Sequence, residues 1–184
     1  MKNKIVYLAG FMGAGKSTVG PILANTLGWD YFDLDKVIEE RLEKKIRKVF
    51  EENGELYFRK VESEVLKELS NNKNVIISLG GGTIVNQNNL SIIKKTGKII
   101  YLKASIDSIY KRVAFKRDRP NLIIEGEEFS KEKLIQKINS LFAAREKFYN
   151  QADLTIETDG ISIGVTVDKL AKIISDEFEI NKGD

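Results

Sequence analysis

Short runs of consecutive apolar, often β-branched residues alternate along this chain with longer stretches whose apolar positions recur at helical spacing. The runs at 5–9 (Ile-Val-Tyr-Leu-Ala), 31–33, 75–79, 98–102 and 154–157 predict strands. Several are apolar at successive rather than alternate positions, as in strands covered on both faces of a parallel sheet. Between them the spacing predicts helices at 16–27, 37–45, 55–69, 86–94, 105–112, 131–150 and 164–179. In the last of these, Val165, Val167, Leu170, Ile173, Ile174 and Phe178 form an amphipathic stripe. Strand–helix alternation predicts an α/β fold with a mostly parallel sheet. The segment 114–129 breaks the pattern. It is charged, keeps no sustained period and contains Pro120 and Gly126, so a mobile loop is expected there.

Composition narrows the chemistry. The chain has 184 residues, 42% of them apolar, enough for a substantial core and too apolar for disorder. It has no cysteine and no histidine, which excludes disulfide frameworks, the usual zinc sites and His-dependent nucleophilic catalysis. Carboxylates, Lys, Arg, hydroxyls, backbone amides or a hard metal ion must do any chemistry. The net charge of +3 is small and the lysines are scattered, so no nucleic-acid partner is expected. No apolar run approaches the roughly 18 residues of a membrane span, and the N-terminal residues do not read as a signal peptide. A cytoplasmic protein, and a monomer, is expected.

Gly10-Phe11-Met12-Gly13-Ala14-Gly15-Lys16-Ser17-Thr18 fits G-x-x-x-x-G-K-[ST] directly after the first predicted strand and at the opening of the first predicted helix. Glycines let consecutive N–H groups converge on one centre, and the helix adds its positive dipole end. Lys16 would reach the β- and γ-phosphates, and the Ser17 hydroxyl would ligate Mg²⁺. A P-loop serves GTPase switches, motors and small-molecule kinases alike, so residues for the acceptor must discriminate. The small-GTPase reading, which requires an N-K-x-D guanine signature, is set aside.

Asp33-Leu34-Asp35 ends the second predicted strand. Residues i and i+2 of a strand point the same way, so both carboxylates are expected to face one spot at the carboxyl edge of the sheet. Asp35 alone could be the N-cap of the next helix, but a pair of carboxylates beyond a P-loop favours metal and hydroxyl chemistry more. Gly80-Gly81-Gly82 follows the third strand, where three missing side chains would let a ligand approach the backbone. The positive charges are 23 lysines against seven arginines, so each arginine raises the question of planar, bidentate anion recognition. Arg41 and Arg47 read as solvated surface, whereas Arg59, Arg112, Arg117, Arg119 and Arg145 lie near plausible site elements.

Taken together, GFMGAGKST, FDLD, VFEENGELYFRKVE, SLGGGTI, RPNL and Arg145 closely resemble the shikimate kinase family over nearly the whole chain. The resemblance implies one domain over 1–184 with a three-layer P-loop kinase fold. A central five-stranded parallel sheet would be flanked by helices, with an acceptor-binding segment at about 33–62 and a lid at about 113–126. It implies ATP-dependent phosphorylation of the 3-hydroxyl of shikimate, with ATP and Mg²⁺ as cofactors. Gly13, Ala14, Gly15, Lys16, Ser17, Thr18 and Arg112 would bind the nucleotide. Asp35 would orient, or accept a proton from, the attacking hydroxyl. Arg59 and Arg145 would grip the substrate carboxylate, with Gly80, Gly81 and Gly82 lining the same pocket. Phe50 and Phe58 match aromatic positions beside the ring and read equally as core. Asp33 would hold Mg²⁺ through water, and Arg119 would be the lid arginine at the transferring phosphate; Arg117 receives no role. One stretch departs from the family: Glu157-Thr158-Asp159-Gly160-Ile161-Ser162 lacks the usual Arg and Pro on the adenine side. A gluconate-like polyol kinase and a non-catalytic module of the same fold are the alternatives. The Asp35, Arg59, Gly80–Gly82 and Arg145 set argues against the first, and the intact P-loop against the second.

Overall fold

The central strand of the sheet, β1 (Ile5–Ala9), is buried at every position, as its unbroken apolar run requires. In the computed structural model, which describes residues 4–113 and 131–178, β1 leads through the P-loop into α1 (Lys16–Leu27). The chain continues through β2 (Asp30–Asp33), α2 (Leu34–Leu42), α3 (Ile46–Leu69) and β3 (Val75–Ser78). A 3₁₀ turn at Thr83–Val85 precedes α4 (Gln87–Thr96), β4 (Lys98–Lys103) and α5 (Ile106–Val113). The described part closes with α6 (Lys131–Tyr149), β5 (Leu154–Glu157) and α7 (Ile163–Phe178). The loop expected at 114–129, with Arg117 and Arg119, and all but Val113 of the segment 113–126, lie outside the described residues.

The five strands form one parallel sheet in the order β2-β3-β1-β4-β5. β1 and β3 are buried throughout and β4 is buried between its ends, while the edge strands β2 and β5 are partly exposed. That gradient explains why the inner strands read as continuous apolar runs and the edge strands as mixed ones. α1 settles low over the sheet because Gly20 has no side chain: a Cβ there would meet the Tyr31 ring at 2.4 Å. The Tyr31 hydroxyl donates to Ser78 Oγ at 3.1 Å, tying β2 to β3 under that helix. Burial pushes the Tyr31 phenol up to about 12.

Most predicted bounds hold to within a residue or two, and two helix starts move further. α2 begins at Leu34, not at residue 37, because the Asp33 carboxylate accepts from the Lys36 N–H at 3.4 Å and caps it, while Leu34 and Ile38 bury one turn apart. Asp33 is therefore the N-cap and Asp35 is not. The helix expected at 55–69 begins nine residues earlier, at Ile46. It breaks at Gly54, whose backbone (φ 80°, ψ 170°) is not helical.

Candidate functional site

The loops after β1, β2 and β3 meet at the carboxyl edge of the sheet, where parallel folds bind ligands. At the P-loop, Gly15 adopts φ +104° immediately before α1, a left-handed conformation costly for other residues. Gly10 lies so close to β4 that a Cβ would fall 2.6 Å from the Leu102 carbonyl oxygen. Lys16 Nζ folds back over the loop and donates to the carbonyls of Gly10 at 2.8 Å and Phe11 at 3.2 Å. Ser17 Oγ donates to Asp33 Oδ2 at 3.1 Å, so the two groups expected to serve one cation already touch. Two hard oxygen donors beside a phosphate loop fit Mg²⁺, which takes few protein ligands and completes its shell with water and phosphate.

Gly13, Ala14, Gly15, Lys16, Ser17, Thr18, Asp33, Asp35 and Arg112 line one cleft of about 610 Å³. Arg112 lies at its rim, where Nη1 donates to the Gly13 carbonyl at 2.9 Å. Asp159 lies 4.0 Å from Arg112 Nη2, and its other oxygen accepts from the Ser105 N–H at 2.6 Å. Burial works against that charge, but hydrogen bonds from Ser108 and Ser105 together with Arg112 bring the Asp159 carboxyl below its ordinary range. The far wall of the cleft is Thr158, Ile161, Ile163 and Thr166. In place of Arg and Pro, this chain offers hydroxyls and exposed aliphatic surface there.

A second cavity adjoins the first and is lined by Asp35, Arg59, Gly80, Gly81, Gly82 and Arg145, together with Met12, Ile46, Phe50, Phe58 and Glu62. Asp35, Met12, Ile46 and Gly81 line both spaces and mark the junction. Asp35 reaches it from the first turn of α2, not from strand alternation with Asp33, and sits where the helix dipole favours an anion. Phe50 and Phe58 pack with ring centroids 4.8 Å apart, and Phe58 is buried, so the pair is cavity wall and core together. Arg41 and Arg47 are exposed and paired with Glu68 and Glu51, as expected of surface.

The three glycines line this cavity and also leave space beside it. A Cβ on Gly80 would lie 2.7 Å from Asp35 Oδ1; on Gly81, 3.2 Å from Arg145 Nη1; on Gly82, 2.9 Å from Arg59 Nη2. Each missing side chain makes room for one polar side chain of the cavity. Arg59 is held on both sides: Nε and Nη2 donate to Glu55 at 3.2 and 3.1 Å, and Nη1 donates to Glu62 at 2.9 Å. Burial opposes its charge, but Glu62 and Glu55 raise the guanidinium pKa. One N–H remains on each terminal nitrogen. Glu62 is fully buried and also accepts from Thr83 Oγ1 at 2.7 Å. Arg145 differs: it is 9% exposed, lies over the Phe11 ring at 5.7 Å, and enters no ion pair with a carboxylate among the described residues. Sequence reading missed Glu62, Met12 and Tyr149. The spacings Arg59–Glu62 (i,i+3) and Arg145–Tyr149 (i,i+4) on predicted helices were the available signal.

A phosphate loop at the carboxyl edge of a parallel sheet, opening on one side to a larger cleft and on the other to a small cavity that holds two arginines, defines a P-loop kinase of small molecules. The chain belongs to the shikimate kinase family, whose model matches residues 12–175. It is 43% identical over 174 residues to the shikimate kinase of Chlorobium phaeobacteroides (strain DSM 266), covering 94% of this chain and 92% of that one. To the shikimate kinase of Chloroherpeton thalassium it is 38% identical over 181 residues, with 98% and 97% covered. The structure of shikimate kinase from Acinetobacter baumannii in complex with shikimate superposes with a TM-score of 0.87 at 33% identity, covering 96% and 95% of the two chains. The tetrapeptide Asn181-Lys182-Gly183-Asp184 does spell N-K-x-D, but it lies outside both the described residues and the matched segment.

Proposed function

We propose that this chain transfers the γ-phosphoryl group of ATP to the 3-hydroxyl of shikimate, giving shikimate 3-phosphate and ADP on the route to chorismate and the aromatic amino acids. Besides family membership, one observation carries this reading: Arg145 is nine-tenths buried without a carboxylate partner among the described residues, in a cavity that shares Asp35 with the phosphate-loop cleft. A buried cation is costly until it is paired. A small acid with hydroxyls opposite its carboxylate supplies that pair and presents an oxygen towards Asp35.

In this reading Lys16 exchanges its carbonyl partners for the β- and γ-phosphates, and the backbone amides of Gly13–Thr18 hold the remaining oxygens. Ser17 and Asp33 would hold Mg²⁺, which when bound would neutralise phosphate charge. Arg112 contacts the nucleotide at the rim. Arg145 and the two remaining donors of Arg59 grip the acceptor carboxylate, each such charge-assisted contact being worth about 1.5–3 kcal/mol. Asp35 orients the 3-hydroxyl and takes its proton as the O–P bond forms. Arg119, outside the described residues, keeps the phosphate-contacting role that the resemblance gives it. ADP release measured with shikimate, with gluconate and with no acceptor tests the reading. Release dependent on shikimate alone is expected, and release with gluconate but not shikimate would overturn it.

A further inference from the structure

Tyr149 is the last residue of α6, one turn beyond Arg145, and it is fully buried. A spacing of four puts the phenol and the guanidinium on the same helix face. The ring stacks on Tyr101 of β4, with centroids 5.0 Å apart and planes within 15°. A phenylalanine would fill that space equally well, so the hydroxyl calls for its own explanation. It donates to the Gly81 carbonyl at 2.7 Å, at the middle glycine of the acceptor loop.

Two consequences follow from that bond. Peptide planarity sends the Gly82 N–H opposite to the carbonyl that Tyr149 holds, so one hydroxyl sets the direction of a donor in the loop. A Gly-Gly peptide is otherwise the freest to rotate. The hydroxyl's only proton is spent on Gly81, leaving its lone pairs for other donors. Arg145 lies at this corner too: the point where a Gly81 Cβ would sit is 3.2 Å from Arg145 Nη1 and 3.9 Å from the Tyr149 oxygen. Burial drives the phenol pKa far above its ordinary value, while the nearby charge of Arg145 pulls it the other way, so the two groups sense each other.

We propose that Tyr149 is a positioning residue for the acceptor carboxylate: its hydroxyl fixes the Gly81–Gly82 peptide and the Arg145 guanidinium in the orientation that grips it. The identity of that carboxylate rests on the functional reading above.

Tyr149→Phe keeps the stacked ring and removes only the hydroxyl. Calorimetric titration should show shikimate binding weakened roughly tenfold, the size of one lost hydrogen bond to a charged group, with ADP binding unchanged. In steady state the loss should appear in the shikimate KM and leave kcat nearly unaltered. A shikimate derivative carrying a carboxamide in place of the carboxylate should bind the wild-type chain and Tyr149→Phe equally, because neither can grip it as an anion; a purely structural role would weaken both ligands alike. Shikimate binding by the wild-type chain with an unchanged constant in Tyr149→Phe would overturn the role of Tyr149 alone. Joint loss of ADP and shikimate binding in the variant would also overturn it, marking Tyr149 as core. Failure of the wild-type chain to bind shikimate would overturn the functional reading and this role with it.

Discussion

Glu62 Oε2 accepts a hydrogen bond from Arg59 Nη1 at 2.9 Å, so a fully buried carboxylate fixes one of the two arginines of the acceptor cavity. Its other oxygen accepts from Thr83, which ties the helix carrying Arg59 to the segment just after the three glycines. Removing one member of such a pair leaves the others unsatisfied. Glu62→Gln should therefore lower stability by about 1–3 kcal/mol and raise the shikimate KM. Denaturant unfolding and steady-state kinetics check this; a variant as stable as the parent would show that Glu62 is not the anchor.

The slots opposite the three glycines predict an order of severity. Gly80→Ala would press a Cβ to 2.7 Å from Asp35 Oδ1, the end of a short side chain, and to 3.0 Å from the buried Thr83 hydroxyl. For Gly82→Ala the three nearest atoms all belong to the guanidinium of Arg59, the far end of a long side chain that can give by a few tenths of an ångström. The first should lower kcat/KM for shikimate by about a hundredfold and the second by less than about tenfold. The reverse order would contradict the assignment of Gly80 to Asp35.

Asp35→Asn removes the proton acceptor and keeps the shape of the side chain. Turnover should fall by about 10²–10⁴-fold, while ADP affinity stays within roughly twofold of the parent. Equal loss of turnover and ADP binding would place Asp35 in the nucleotide site instead.

Arg145→Lys keeps the charge but loses the planar fork. The shikimate KM should rise roughly ten- to hundredfold with the ATP KM unchanged. An unchanged shikimate KM would remove Arg145 from the carboxylate site.

The sequence pattern carried the inner sheet well because inner strands must be continuously apolar: β1 falls on its predicted bounds, as does α1 behind its glycine-rich start, and the mixed edge strand β5 falls on its bounds as well. It failed at Asp35 because the run Phe32-Asp33-Leu34-Asp35 alternates like a strand, while the Asp33 cap starts the helix one residue after the strand ends. Local periodicity does not see such a cap compete with strand extension. The motifs located the acceptor cavity and its glycines but not the slots those glycines leave for Asp35, Arg145 and Arg59, since which side chain fills the space beside a glycine is not written in the local sequence. Glu62 and Tyr149 stayed hidden because their work is done on Arg59 and on the Gly81 carbonyl, partners that only the folded chain brings near.

The central claim is tested most directly by the chemical identity of the product. The chain should be incubated with ATP, Mg²⁺ and shikimate, and the products resolved by phosphorus and proton NMR. The account predicts a single monoester on the 3-hydroxyl formed in step with ADP. Phosphate on another hydroxyl, or ADP accompanied only by inorganic phosphate, would contradict it.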